Sequence, residues 1–546
     1  MSMTNVFRRA GLLLACLLLG GALSVALGQD ANWDLRNYHL YNAWALLTGR
    51  WGLDMYAAGI QTYFNPLLDI PYYHAAFIHL VDRPRVVAFL MGLPFGLLAF
   101  ATASIARSAV QDLPLRSPRP LLLAFCAAIF GLSGAATVSQ LGTTFNEIQV
   151  AALVLLGVMC LLRALSGEAD ARGRGLGFVL LGGLLFGLAA GAKLTAAVYA
   201  PAAVLGLFWA RRGWRAGLVR GVAFSAAWSA GFALTYGWWG LFLYRQTGNP
   251  VFPFFESFFR SGMVPPVSAR EMRFMPETTL EVLFYPFHWM DDSTLTVADV
   301  AFKDPRFAVA YGALILAGLG LLATRLRGRA DAVRPRVLLT ARLRFLLIFC
   351  GSAFLVWMGL FSILRYLVPV EALLGVLLLI AVAVPLARAT GRPASGTGMV
   401  LLLVGAGVVS AAVTRYPEWG RLEHAPPTAE LANVNLPPHS LVLAWAPPQA
   451  YAMPFIERAN PGTRFLGVTG ELVSARGYGL WTQWTARLRA HQGPVFIMLI
   501  DDELHWPEVL DELGFSLPRE HCQKFSSRVS GELKLCPLVR EGAAPG

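Results

Sequence analysis

The 546-residue sequence has few charged residues and few cysteines. Asp, Glu, Lys and Arg together make up 14% of the chain, against about a quarter in soluble globular proteins, whereas hydrophobic residues make up 56%. The six cysteines complete no recognisable zinc spacing with the histidines. The composition therefore predicts an integral membrane protein and not a soluble globular one.

Acidic residues are scarce relative to basic ones, and the formal net charge is +12. A strongly basic balance can indicate nucleic-acid binding. Here, however, the arginines lie mostly in short connections between apolar runs, where they orient membrane spans. We therefore expect a membrane as partner and no nucleic acid.

Apolar runs of membrane-spanning length recur along residues 1–414. A helix that crosses a bilayer needs about 20 such residues and satisfies its own backbone hydrogen bonds. We predict about eleven spans, at 10–27, 86–105, 121–138, 148–165, 176–192, 194–210, 219–239, 307–323, 345–364, 367–387 and 399–414. The expected fold class is an α-helical polytopic membrane protein.

Every second connection between these spans is rich in arginine. Because basic connections stay in the cytoplasm, the amino terminus is predicted inside and the segment after Arg415 outside, in a plasma membrane of the bacterial inner-membrane type. The first span could instead be a cleaved signal peptide, and the next loop is outside in both cases. Three long outer segments result: 29–85, 240–304 and 415–546.

Residues 415–546 are more polar and alternate strand-like with helix-like runs, which predicts a small outer α/β domain. Cys522 and Cys536 flank two strand-like pieces, and we expect them to form a disulfide in an oxidising compartment. Asp501, Asp502 and Glu503 follow a predicted strand, as ligand-binding residues of α/β domains do; a solvated acidic turn is the alternative.

A polar stretch directly follows the first span. Asp34 and Tyr38 are four residues apart, and apolar and aromatic residues recur at helical spacing until Gly49. This pattern predicts an amphipathic helix that lies on the bilayer and starts at or near Asp34. An aspartate at that position could cap the helix, or it could act in catalysis.

Asp34, Tyr38 and Gly49 resemble the Asp-Glu-x-x-Tyr to Gly segment in the first outer loop of GT-C superfamily glycosyltransferases. These include the aminoarabinose, protein O-mannosyl and lipopolysaccharide-core galacturonosyl transferases. Leu35 stands at the position of the second acid, so the acidic pair that could bind a metal is incomplete.

A second element of the resemblance lies downstream. Residues 63–67 (YFNPL) and 71–73 (PYY) resemble the Pro-Pro-Leu-Tyr-Tyr element of these transferases, which makes Asn65 a candidate for substrate binding. In span order and loop placement the resemblance covers about residues 10–210. It implies a GT-C-like fold for the membrane domain.

The resemblance also implies an inverting transfer of a sugar from a polyprenyl-phosphate donor to a lipid or glycan acceptor of the cell envelope. Asp34 is the expected base, which removes the proton of the attacking hydroxyl. Tyr38 and His39 are expected to bind substrate. No cofactor is predicted: a divalent metal is possible, but His39, His74 and His79 have no acidic or Cys partner at a zinc spacing.

Further candidates lie at the outer ends of spans. Glu147 could orient the acceptor, share a metal with Asp34, or only complement the helix dipole. Lys193 lacks the preceding glycine of a Walker loop; it could bind the donor phosphate or extend to the headgroups. Arg365 and Tyr366 resemble the Arg-Tyr-x-x-Pro element of relatives; a guanidinium suits phosphate, with anchoring at the membrane interface as the alternative.

Two patterns have mainly structural interpretations. Gly183, Gly187 and Gly191 recur every four residues, which predicts close helix packing. The aromatic and proline-rich segments 248–255 and 284–289 are typical of a membrane interface, with sugar stacking as the alternative.

Two other functions use the same residues. A transporter or flippase of a lipid-linked saccharide would need the cations and aromatic rings but no base. A polymerase or ligase of surface glycans would also transfer sugar, but from a lipid-linked oligosaccharide.

Overall fold

The computed structural model describes residues 3–167, 173–210, 213–267, 271–291, 297–326, 339–427, 434–500, 508–518, 521–529 and 531–540. Within these ranges, eight helices are long and apolar enough to cross a membrane: Met3–Leu27, Pro84–Asp112, Glu147–Ala164, Gly175–Ala192, Trp214–Thr247, Arg306–Leu326, Ala341–Leu360 and Gly396–Val413. A further crossing consists of two parts bent by 50°, Leu364–Glu371 and Leu374–Thr390. The polytopic helical class is confirmed.

The predicted count of about eleven spans is not confirmed, because two predicted spans are shorter. Residues 121–138 form two helices, Pro120–Leu132 and Ala135–Ser139. Between them, Gly134 lies so close to Glu371 that an added Cβ would collide with its carboxyl group. Residues 194–210 begin as a 3₁₀ turn and become an α-helix over Tyr199–Ala210.

Glycines spaced by four residues bring two long helices together. An added Cβ on Gly183 or Gly187 would collide with backbone atoms of the helix Trp214–Thr247, and one on Gly191 would collide with Thr235. Small residues allow such close approach where helices pack inside a membrane. The predicted role of these glycines in helix packing is confirmed.

The C-terminal segment contains a six-stranded sheet flanked by helices, as expected for an α/β unit. Its strands are Leu441–Trp445, Arg464–Val468, Val495–Ile500, Phe515–Ser516, Gln523–Ser527 and Gly531–Arg540. The first three pair in parallel, and the last pairs antiparallel with its neighbours. The main helices are Met453–Ala459, Gly470–Ser474, Gly479–Ala490 and Glu508–Glu512.

The predicted disulfide between Cys522 and Cys536 is present. It joins the segment before one edge strand to the central part of the last strand. Asp501, Asp502 and Glu503, the candidate acidic ligands of this segment, lie outside the described residues.

The loop 29–85 and the C-terminal sheet share one hydrophobic core. Trp44 packs against Phe465 with 6.4 Å between ring centroids, and the Met55 backbone pairs with the strand that contains Phe465. Arg50 forms an ion pair with Asp54 and donates to the Thr463 carbonyl at 2.6 Å. This core therefore ties two distant parts of the sequence together.

The helix predicted after Asp34 forms, as a π-helical turn Leu35–His39 followed by the α-helix Leu40–Leu47. Residues 37–45 are all buried, on every face of the helix. The prediction of an amphipathic helix on the bilayer is therefore wrong, because the C-terminal sheet and the helix Met453–Ala459 pack against this helix in the shared core.

The loop 240–304 contributes aromatic residues to the same region. The preceding helix continues to Thr247, beyond its predicted end at 239. Phe252 packs edge-on against Tyr63 at 4.7 Å, and Phe254 stacks on Phe64 at 5.9 Å. These ring contacts join the loop 240–304 to the loop 29–85.

Candidate active site

Asp34 lies immediately before the turn Leu35–His39 and is buried. Its carboxylate makes no capping hydrogen bond. Instead, its Oδ2 accepts a hydrogen bond from the Tyr38 hydroxyl at 3.0 Å and one from Arg365 Nη1 at 2.8 Å. Asp34 is thus part of a buried polar cluster and does not act as a helix cap.

Arg365 joins two carboxylates of this cluster. It lies in the short 3₁₀ turn Leu364–Leu367, at the start of the bent crossing. Besides its bond to Asp34, its Nε lies 4.0 Å from Glu147 Oε1. Its guanidinium carbon lies 4.9 Å from the centre of the Phe145 ring. A partly buried cation therefore lies between the two acids predicted for the site.

Glu147 is paired with Lys193. Glu147 is the first residue of its helix, and Lys193 follows the end of the helix Gly175–Ala192. The Lys193 ammonium donates to Glu147 Oε1 and, at 2.7 Å, to the Phe145 carbonyl. Lys193 thus points into the protein and not toward headgroups. The other Glu147 oxygen, Oε2, is buried without a hydrogen-bond partner among the described residues.

His39 forms a second polar pair beside Asp34. Its Nδ1 lies 2.7 Å from Asp69 Oδ1, which also accepts from Asn146 Nδ2 at 2.7 Å. The side chains of His39 and Asp69 are each 3% exposed. The His39 Nε2 atom is buried and has no hydrogen-bond partner in the part of the chain that the structure describes.

Asn65 lies apart from this cluster. Its amide donates to the backbone carbonyls of Gly191 and Thr235 at 2.9 and 3.0 Å, and its oxygen accepts from the Leu67 N–H. These bonds use both ends of the amide to fix the loop onto two helices. The geometry thus gives Asn65 a structural role, and its predicted substrate contact stays a prediction.

Tyr366 lies beside the cations. Its ring centre is 5.8 Å from the Lys193 ammonium and 5.4 Å from the Arg365 guanidinium carbon. A small cavity is lined by Tyr366, Arg365, Glu147 and residues that pack around them: Val150, Thr195, Ala196, Tyr199 and Pro369. The predicted residues Asp34, Tyr38, His39, Glu147, Lys193, Arg365 and Tyr366 thus lie together, and Asn65 does not.

Local charges set the protonation of Asp34 and Tyr38. Burial alone would raise the pKa of the Asp34 carboxyl, but Arg365, His39 and Lys193 oppose this and hold its pKa below the usual value. Burial and the Asp34 charge raise the pKa of Tyr38 well above its usual value. Asp34 is therefore ionised at neutral pH, and Tyr38 is a hydrogen-bond donor.

The residues present do not suit a metal shared by Asp34 and Glu147. Both carboxylates face cations, since Arg365 contacts each of them and Lys193 holds Glu147. In the described ranges, no group of three or more His, Cys, Asp or Glu side chains is placed to hold a metal ion.

Sequence reasoning missed Asp69 and Asn146. Asp69 lies two residues beyond the YFNPL segment, and Asn146 directly precedes Glu147. The sequence did contain a signal for Asp69, because this residue is a carboxylate in an otherwise apolar stretch. Asn146 has a positive φ of 70°, which turns the chain sharply before the helix, but its amide could not be paired with Asp69 from sequence.

No protein-family model and no curated protein matches the chain. Among solved structures, the chain is similar to ArnT from Cupriavidus metallidurans bound to undecaprenyl phosphate. The TM-score is 0.51, the sequence identity is 13%, and the likeness covers 100% of both chains. At this identity the likeness shows the fold: the chain has an ArnT-like fold, which confirms the GT-C-like architecture expected from the sequence.

Proposed function

We propose that this protein transfers a sugar from a polyprenyl-phosphate donor to a lipid or glycan acceptor of the cell envelope, at the outer face of the membrane. The observation that carries the proposal is the buried Asp34 carboxylate held beside Arg365 and near Lys193. The ArnT-like fold supports it, because the ArnT structure contains undecaprenyl phosphate.

The chemistry of an inverting transfer fits these groups. The acceptor oxygen attacks the anomeric carbon while its proton passes to Asp34, the catalytic base. The bond from the anomeric carbon to the phosphate oxygen breaks, and its electron pair stays on the phosphate. Arg365 and Lys193 offset the charge that develops there, since guanidinium and ammonium groups both bind phosphate.

Donor binding must rearrange the ion pairs. Arg365 is held by Asp34, and Lys193 by Glu147, so a phosphate bound to these cations competes with both carboxylates. Exchange at Arg365 releases Asp34 from its cation, which makes the carboxylate a stronger base. Donor binding and base activation are therefore coupled in this proposal.

The same proposal includes the orientation of the protein in the membrane. With the amino terminus in the cytoplasm and the C-terminal segment outside, Asp34 lies at the face where a lipid-linked donor meets envelope acceptors. The membrane is of the bacterial inner-membrane type.

A transfer assay tests the function. Purified protein in liposomes receives radiolabelled polyprenyl-phosphate sugars extracted from membranes, together with cell-envelope acceptors. We expect a labelled glycoside with the wild-type protein and about a hundredfold less with Asp34→Asn. Movement of label across the bilayer without a new glycosidic bond would instead identify a transporter. Transfer only from lipid-linked oligosaccharides would identify a polymerase or ligase.

A further inference from the structure

The pair His39–Asp69 has the geometry of an oriented proton-transfer group. An ionised carboxylate can only accept hydrogen bonds, so the 2.7 Å contact to Asp69 places a proton on His39 Nδ1. The amide of Asn146 donates to the same Asp69 oxygen and holds that carboxylate in place. The imidazole is thus fixed, with Nε2 as its remaining polar atom.

Nε2 has no structural role in the described part of the chain. It is buried and makes no hydrogen bond there. Leaving a buried polar atom unpaired costs about 1–3 kcal/mol, so such an atom calls for an explanation. If His39 served only to anchor the loop through Asp69, an apolar atom in the place of Nε2 would cost less free energy of folding than this unpaired polar atom does.

His39 is also close to the reacting groups. Its ring lies 4.1 Å from the ring of Tyr38, whose hydroxyl donates to Asp34. His39 and Asp34 interact electrostatically, so the imidazole belongs to the cluster that contains Arg365. One carboxylate, Asp69, contacts the ring directly, and a second, Asp34, accepts the hydroxyl of the neighbouring Tyr38.

We propose, on the basis of the proposed transferase function, that His39 donates the proton of Nε2 to the leaving phosphate oxygen and that Asp69 positions it. As the acceptor oxygen bonds to the anomeric carbon, its proton goes to Asp34. The bond between the anomeric carbon and the phosphate oxygen breaks, the electron pair stays on that oxygen, and the oxygen takes the His39 proton. The product is the glycoside and the protonated polyprenyl phosphate.

The two residues then have opposite roles. The proposed step starts from the imidazolium form of His39, which loses its Nε2 proton, and from ionised Asp34, which gains a proton. The phosphate passes from a diester to a monoester and would gain a negative charge on leaving. A proton from His39 offsets this charge where Arg365 and Lys193 already lie.

The test compares kcat and KM in the liposome assay. We expect His39→Gln to lower kcat about a hundredfold with little change in the acceptor KM. Asp69→Asn, which keeps the shape of the side chain, should lower kcat about tenfold or more because the ring is no longer held in the correct tautomer. His74→Gln is the matched control, since His74 is an exposed histidine in the same loop; its kcat should equal the wild-type value.

Chemical rescue separates catalysis from structure. Free imidazole should restore part of the kcat of His39→Gly but none of the kcat of Asp34→Asn. If a His39 variant does not fold, the kcat of Asp69→Asn still tests the inference. Wild-type kcat in folded His39→Gln or Asp69→Asn would overturn the inference while the transferase function stands. A wild-type protein inactive with every polyprenyl-phosphate donor would overturn the proposed function itself.

Discussion

Arg365 Nη1 lies 2.8 Å from Asp34 Oδ2, although the two residues are 331 positions apart in the sequence. The contact joins the polar segment after the first span to the start of the bent crossing. The proposed phosphate ligand and the proposed base therefore form an ion pair with each other.

Asp34→Asn should reduce sugar transfer by about a hundredfold or more, the usual scale for loss of a general base. Asparagine keeps the size of the side chain but cannot accept the proton. Asp82→Asn is the control, because Asp82 is an exposed aspartate of the same loop. Initial rates of radiolabelled product formation measure the effect. Wild-type transfer by Asp34→Asn together with loss in Glu147→Gln would make Glu147 the base.

Arg365→Lys should raise the KM for the polyprenyl-phosphate donor about tenfold or more, because lysine keeps the charge but loses the planar pair of donors. Arg415→Lys, a change at an exposed arginine, should leave KM unchanged. Titration of rate against donor concentration measures both variants. An unchanged donor KM in folded Arg365→Lys would remove Arg365 from the phosphate site.

The lowered pKa of Asp34 predicts a specific pH dependence of stability. A carboxyl group with a depressed pKa stabilises the folded state at pH values above its unfolded pKa, about 3.9, and this contribution disappears as the pH falls through the folded-state pKa. The difference in Tm between wild type and Asp34→Asn should thus be constant from about pH 8 to 5 and narrow only below about pH 4. Thermal melts in detergent across this range test it. Narrowing already near pH 6 would contradict the ion pair.

Removal of the disulfide should destabilise the C-terminal sheet. The Cys522–Cys536 bond closes a loop with a sequence separation of 14. For a loop of this length, Cys522→Ser with Cys536→Ser should cost about 3 kcal/mol. Cys16→Ala, at a free cysteine, is the control. Denaturant unfolding measures the loss, and alkylation with mass spectrometry of unreduced protein shows whether the bond forms in cells.

The arginine pattern predicts that the chain after Arg415 is outside. An alkaline phosphatase fused after Arg415 should be active, since this enzyme folds only outside the cytoplasm, and a cytoplasmic reporter fused there should be inactive. A reporter fused after Arg392, in a predicted cytoplasmic connection, should give the reverse result. An inactive phosphatase after Arg415 would show that the predicted topology is wrong.

Local composition was sufficient to predict most of the membrane helices and the α/β character of the tail. A helix such as Gly175–Ala192 is apolar throughout, and its glycine spacing also indicated which of its faces packs against another helix. The break at Gly134 was not predictable, because it depends on Glu371, which lies far away in sequence. The carboxylate of Glu371 accepts the N–H groups of Ala136 and Thr137 that a continuous helix would have used.

For the site, sequence predicted the residue types but not their pairing. Asp34 and Arg365 were recognised separately, each from a short resemblance. The contact of Asp69 with His39 depends on the path of the chain across the 30 positions that separate them, which no short-range pattern determines. The capping interpretation of Asp34 was wrong because the charged Arg365 forms a stronger hydrogen bond with a carboxylate than a backbone N–H does.

The core shared by the loop 29–85 and the C-terminal sheet has a consequence for biosynthesis. Phe465 donates its N–H to Asp54, a bond that spans 411 residues. The ribosome makes the loop long before the strand that covers it. The side chains of Trp44 and its apolar neighbours therefore lack this packing partner while the remaining spans insert. Every nascent chain therefore passes through a stage in which the membrane part is nearly complete but the shared core is not. The shared core is therefore complete only when the last strands have been made.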